Sequence, residues 1–278
     1  MQTRACGRGV PRAAAVRAGA PASARGSGSS PTPARPMSDP LKVLSSMATR
    51  EVLDGLVRAF AMRSSLPAVL ESAGGVDVAR RVGAGERCDV VVLAGEAIDA
   101  LIADKRIVAG SRTDVARSGI AVAVPAGAPR PDIASEAAVR DAVLAARSVG
   151  LSTGPSGTHL LRLVERWGMA EALRGRLVQA PPGTPVGALV ARGEVALGFQ
   201  QLAELVDVPG IDVLGLLPDA IQRETTFAGG VAAASPQPDH ARALLAFLAA
   251  PQADDAKRRH GMAPPARGGG AASDAEPA

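Results

Sequence analysis

The sequence predicts an α/β chain folded as two lobes, with the chain crossing twice between them. Three observations lead there. Short apolar segments alternate with helical patterns along most of the chain, the signature of α/β units with mostly parallel strands. Two passages break that alternation, the Pro/Gly-rich "VPAGAPRPDI" at Val124–Ile133 and "RETTFAGGVAAAS" at Arg223–Ser235; each reads as a passage between lobes. A hydrophobic content of 47% over 278 residues suffices for one large domain or two ordinary ones.

The elements follow in order. "LKVLSS" is the first strand and Thr49–Met62 its helix; "CDVVVLAG" is an unbroken apolar strand followed by a helix over Glu96–Asp104. "SGIAVAVPAG" then precedes a helix over Ser135–Arg147. "SVGLSTG" leads into Thr158–Trp167, where Leu160, Leu161, Leu163, Val164 and Trp167 recur at helical spacing. "RLVQA" precedes Pro185–Arg192, and "EVALGFQQ" precedes a helix over Leu202–Val206. One lobe is assigned residues 41–119 with a return segment 227–262, and the other residues 120–226. Residues 1–40 and 263–278 have the composition of disordered extensions.

The sequence pI of about 9.8 suggests a nucleic-acid partner, but the location of the charge argues against one. Arg4, Arg8, Arg12, Arg17, Arg25 and Arg35 lie in the first 36 residues with no acid among them, which leaves 25 basic against 27 acidic residues elsewhere. Tyr is absent and aromatics are few, so a base- or sugar-stacking site is poorly supplied. No run of 18 apolar residues suggests a membrane span. The Arg-rich start fits a transit peptide or an extension upstream of a start at Met37. The second is favoured, with no export signal and a cytoplasmic location expected. Cys6 and Cys88 make no disulfide framework, and Cys88 sits in a buried-strand pattern. His159, His240 and His260 are scattered, with no H-E-x-x-H and no paired C-x-x-C, so neither a metal nor a cofactor is expected.

In an open α/β sheet, ligands sit where strands end and helices begin. Three such loops here are short of bulky side chains: Ser45–Thr49, Ser72–Gly75 and "STGPSGT" at Ser152–Thr158. Helix starts of this kind present unpaired N–H groups at the positive end of the helix dipole, which suits an anion without a lysine or arginine. An ordinary capped helix explains "STGPSGTHLLRL" taken alone; the three loops together favour an anion site. It is not a P-loop, since no G-K-[ST] closes it. Arg117 and Ser118 precede the first crossing, where the guanidinium could hold a carboxylate or simply pair with an acid. Of Gln200 and Gln201, strand alternation lets one face inward.

The strings "LKVLSSMATREVLDGLVRAF", "GERCDVVVLAGEAIDALIADKRIVAGSR", "ARSGIAVAVPAGAPRPDI", "ARGEVALGFQQLAEL" and "ARALLAFLAAPQADDAKRRHGM" resemble, in order and spacing, the type II periplasmic-binding-protein fold in its molybdate-binding branch. The resemblance covers about Leu41–Met262 and implies two lobes with two crossover strands at the hinge. It also implies a solute-binding component of an ABC transporter, partnered by a permease if exported. The resemblance places Ala48 at the family's first oxyanion-binding Ser, Gly74 or Gly75 at the second, Gln201 at a family Tyr, and Ser156 at the backbone-amide position. "ARSGIAVAVPAGAPRPDI" and "GFQQLAEL" look more like a divergent branch that includes aconitate isomerase, which implies a polycarboxylate ligand. The expected ligand-binding set is therefore Ser45, Ser46, Ala48, Thr49, Gly74, Gly75, Arg117, Ser118, Ser156, Gly157, Thr158 and Gln201, holding a small anion. An allylic proton shift would need a base, for which His159, Glu204 and Glu224 are the candidates.

Overall fold

A computed structural model describes residues 39–181 and 183–266, so most of the two expected extensions lies outside the described residues. β1 (Leu41–Ser46) leads through a 3-10 turn at Met47–Thr49 into α1 (Arg50–Ser64). β2 (Ala68–Ala73), α2 (Gly75–Gly83), β3 (Val90–Ala94), α3 (Gly95–Ala103) and β4 (Thr113–Ser118) follow. Then come β5 (Ile120–Pro125), α4 (Glu136–Ala145), β6 (Val149–Leu151), α5 (Pro155–Arg166), β7 (Leu177–Gln179) and α6 (Val186–Ala191). β8 (Leu197–Gln201), a 3-10 turn at Leu202–Glu204, β9 (Ile211–Leu216), β10 (Thr225–Val231), α7 (Pro238–Ala249), a 3-10 turn at Pro251–Ala253 and α8 (Asp254–Arg259) complete the order.

The strands form two five-stranded sheets, ordered β2-β1-β3-β10-β4 and β7-β6-β8-β5-β9. The fold is therefore α/β and two-lobed, with helices on both sheets. The chain steps from the first sheet to the second at Gly119, between β4 and β5, and returns between Leu216 and Thr225. Val124–Ile133, read from sequence as a passage between lobes, instead runs from the end of β5 towards α4 within the second sheet's half. Its prolines and glycine mark an ordinary surface loop. β10 begins at Thr225, two residues before the expected return segment.

The expectation of mostly parallel strands needs correction. Four pairings are parallel (β1–β2, β1–β3, β6–β7, β6–β8) and four are antiparallel (β3–β10, β10–β4, β5–β8, β5–β9) among the described residues. The reason lies in the crossings. β1, β2 and β3 run towards the loops between the sheets, whereas β5 and β10 enter their sheets from that side and must run the other way. The helix expected over Leu202–Val206 is only the single 3-10 turn Leu202–Glu204.

The unbroken apolar runs reflect burial on both faces. In β3, Val90 and Val92 join the cluster with Leu53, Phe60 and Leu244, while Val91 and Leu93 join Val78, Ile98 and Ile107 on the opposite face. β5 does the same in the second sheet, with Ile120, Val122 and Val124 on one side and Ala121 and Ala123 on the other. α1 buries Val52, Leu53, Leu56, Val57 and Phe60, and ends at Ser65, whose left-handed φ of 58° stops the helix. Cys88 is buried, and burial pushes its thiol up to about 11, so it acts as a small apolar residue. No helix among the described residues is long and apolar enough to cross a membrane.

Candidate functional site

A cleft of about 400 Å³ opens between loops of the two sheets. From the first sheet come Ser46, Met47 and Ala48 after β1, Gly74 and Gly75 after β2, and Ala94 and Glu96 after β3. From the second come Ser152–Ser156 and Thr158 after β6, Ala180–Pro181 and Gly183–Pro185 before α6, and Gln200 and Gln201 at the end of β8. α2, α3, α5 and α6 all begin at this cleft, and none has an N-cap side chain bonded to its first turn, although the Gly187 N–H of α6 is taken by the Gln200 side chain. By contrast, Ser135 caps α4 by accepting from the Ala138 N–H. Several helix starts therefore direct N–H groups and positive dipole ends towards one space.

Ser46, Ala48, Gly74, Gly75, Ser156, Thr158 and Gln201 of the sequence-derived set line the cleft. The other five do not. Ser45 is fully buried and bonds Ser72, Oγ to Oγ, at 2.7 Å. Thr49 is also fully buried, and its hydroxyl donates to the Ser46 carbonyl at 3.1 Å, bracing the turn into α1. Arg117 pairs with Glu224 at 2.5 Å and donates from Nε to the Pro264 carbonyl at 3.1 Å, so it ties residues 263–264 to β4 and stands outside the cleft lining. The Ser118 hydroxyl lies at the step between sheets and accepts from the Ala203 N–H at 3.5 Å. Gly157 serves packing: a Cβ there would stand 1.8 Å from the Ser152 carbonyl oxygen, so only glycine lets α5 close on its own entry loop.

Within the α5 loop, Ser156 is 1% exposed and its Oγ lies 2.9 Å from the Ser152 Oγ; the Ser152 oxygen also accepts from the Gly154 N–H at 3.2 Å. The Thr158 hydroxyl donates back to the Gly154 carbonyl at 3.3 Å. The loop is thus preorganised by its own hydroxyls, and these side chains hold the helix start open as much as they offer contacts. Replacing Ser156 with Ala is expected to weaken solute affinity by roughly tenfold, a lost hydrogen bond's worth, read by titration calorimetry. Unchanged affinity removes Ser156 from the site.

Both glutamines face the cleft, although alternation allowed only one. The chain leaves β8 for the 3-10 turn immediately after Gln201, so strand alternation no longer separates the two side chains. Gln200 accepts from the Gly187 N–H at 3.2 Å and donates from Nε2 to Glu204 Oε1 at 2.8 Å, which fixes its amide orientation. Gln201 donates to the Thr225 hydroxyl at 2.8 Å, and its Oε1 is buried without a partner among the described residues.

Of the three candidate bases, the structure brings only Glu204 into the cleft. His159 donates its Nε2–H to the Ile221 carbonyl at 2.8 Å, and Glu224 is held by Arg117. Burial pushes the Glu204 carboxyl up to about 7, an effect the Gln200 amide only partly offsets. Arg162, Arg223 and Glu96 also line the cleft and escaped the sequence reading. Arg162 could have been found, since it lies one turn beyond Thr158 on the same face of α5; Arg223 carries no local signal. Among the described residues, no group of three or more His, Cys, Asp or Glu could hold a metal ion.

Two lobes, an inter-lobe cleft and converging helix starts define a binding protein for a small solute. Residues 41–263 match the family of bacterial extracellular solute-binding proteins, and the chain belongs to that family. It is 42% identical over 193 residues to an aconitate isomerase from a Pseudomonas species, covering 67% of this chain and 71% of that protein. The periplasmic molybdate-binding protein of Azotobacter vinelandii shares the fold, with a TM-score of 0.68 at 20% identity, over 81% of this chain and 100% of that one. The sulfate-binding protein of Mycobacterium tuberculosis H37Rv does so with a TM-score of 0.65 at 16% identity, over 81% and 86% of the two chains.

Proposed function

We propose that the cleft binds a small polycarboxylate and that Glu204 shifts a proton along its allylic unit, an aconitate-isomerase-like reaction. The observation that carries this reading is Glu204 itself: a carboxyl in the anion cleft whose affinity for a proton is raised to about 7, the range in which a base can both take and return one. The 42% identity to an aconitate isomerase supports it. So does the absence of a side-chain hydroxyl at Ala48, Gly74 and Gly75 in the lining, which leaves fewer donors for a tetrahedral oxyanion and more room for a carbon skeleton.

The chemistry is balanced within the ligand. Ionised Glu204 removes a proton from the methylene beside the double bond, the C–H pair becomes the new C=C, and the displaced π pair takes the proton back from Glu204 at the far carbon. Negative charge in the transition state collects at the two ends of the allyl unit and spreads into the terminal carboxylates. N–H groups at the starts of α2, α3 and α5 are the donors available to those carboxylates. Gln201 fits the same ligand: with its amide reversed, the Thr225 hydroxyl donates to Oε1 and the NH2 is left to donate to an anion. Incubating purified protein with cis-aconitate and separating the isomers by chromatography tests the reading. Formation of trans-aconitate is expected; unconverted ligand that nonetheless binds contradicts it.

Family membership favours a second reading, anion binding without turnover, in which closure of the lobes presents the solute to an ABC transporter permease. In that case protonated Glu204 donates a hydrogen bond to the anion, and affinity falls as pH rises through 7 because the ionised carboxylate repels it.

A further inference from the structure

We propose that Arg162 and Arg223 form a carboxylate clamp at the cleft that makes this site selective for ligands with three carboxylates, an inference that rests on the polycarboxylate reading above. The two arginines reach the cleft from different elements, Arg162 from α5 and Arg223 from the segment returning to β10. Several arginines elsewhere are spent on acids. Arg117 is committed to Glu224, Arg166 to Glu136, and Arg112 to Asp99 and Asp114. Arg162 is exposed, lines the cleft and enters no ion pair among the described residues.

Arg223 is paired, at 2.6 Å, but with Glu96, whose side chain is 84% exposed and itself lines the cleft. A solvated pair of this kind contributes little, so a ligand carboxylate can replace Glu96 at small cost. The planar guanidinium offers two parallel N–H donors to a carboxylate. The division of labour follows. Helix-start N–H groups hold the carboxylate nearest the lobe interface, and the arginines hold those pointing outward. Glu96 keeps Arg223 extended until a ligand arrives.

The test uses tricarballylate, a saturated tricarboxylate that cannot isomerise, and glutarate, which lacks its central carboxylate, titrated by calorimetry into the full chain. The wild type is expected to bind tricarballylate more tightly than glutarate. Arg162→Ala should lower tricarballylate affinity by on the order of 10- to 100-fold, with part regained in Arg162→Lys. Glu96→Gln should raise it severalfold by releasing Arg223. Arg162 is exposed, so its variants are expected to melt with the wild type, which separates lost binding from lost folding. Wild-type affinity in Arg162→Ala overturns the clamp while leaving the polycarboxylate reading standing. A wild type that binds neither tricarballylate nor cis-aconitate overturns both.

Discussion

Glu204→Gln is expected to abolish isomerisation and at the same time to stabilise the protein above pH 7. The loss follows from removing the base: general-base contributions run to about 10²–10⁴-fold, and neither His159 nor Glu224 lines the cleft. The gain follows from linkage. The folded carboxyl holds its proton up to about pH 7, whereas an ordinary one releases it near 4.5. Folded protein therefore binds more protons than unfolded protein across that window, and the cost of keeping the ionised form buried grows from about pH 4.5 and is complete above 7. Glutamine carries no such cost. The variant should match the wild type at pH 4 and exceed it by on the order of 1–3 kcal/mol at pH 8, measured by chemical denaturation at both pH values. A variant that is inactive and less stable at pH 8 would show that Glu204 is a structural carboxylate. In the wild type, kcat/KM should rise with pH and level off above about 7, because the working base is the ionised form.

Gly157→Ala should disable the second half of the cleft. The added methyl meets the Ser152 carbonyl oxygen at 1.8 Å and the Ser152 amide nitrogen at 3.0 Å, both backbone atoms with no rotamer through which to escape. Either the loop Ser152–Gly154 moves away from α5 or the helix start unwinds, and both break the Ser152–Ser156 hydroxyl pair. The expected cost is about 1–3 kcal/mol of stability together with loss of ligand binding, read by thermal denaturation and calorimetry on the same sample. Full affinity in Gly157→Ala would mean that the α5 loop does not form the anion site.

β3, β5 and β8 were legible because burial on both faces writes continuous apolar runs into the sequence, whereas the partly exposed β2 and β9 were not. The three hydroxyl- and glycine-rich loops were legible because helix starts need small residues. The strand directions were not, since apolar content does not record whether a strand enters a sheet from the cleft or leaves towards it. Nor was the distinction between lining and bracing. Ser45 and Thr49 look like ligands in sequence, yet their hydroxyls are spent on Ser72 and the Ser46 carbonyl. For Arg117 the sequence left open a ligand carboxylate or an acid partner, and the registry of β4 against residues 263–264 and the return segment gives it Glu224. The arginines that do face the cleft, Arg162 and Arg223, stand 61 positions apart in sequence, and only the crossings bring them to one space.

The central claim is that a base in this cleft exchanges protons with an allylic ligand, and a proton NMR time course of cis-aconitate in D2O with the purified protein measures it directly. The account predicts growth of the trans-isomer signals, loss of methylene intensity to deuterium, and neither change with Glu204→Gln. An unaltered spectrum from wild-type protein shown by calorimetry to bind the ligand would contradict it and leave a solute-binding protein that closes without reacting.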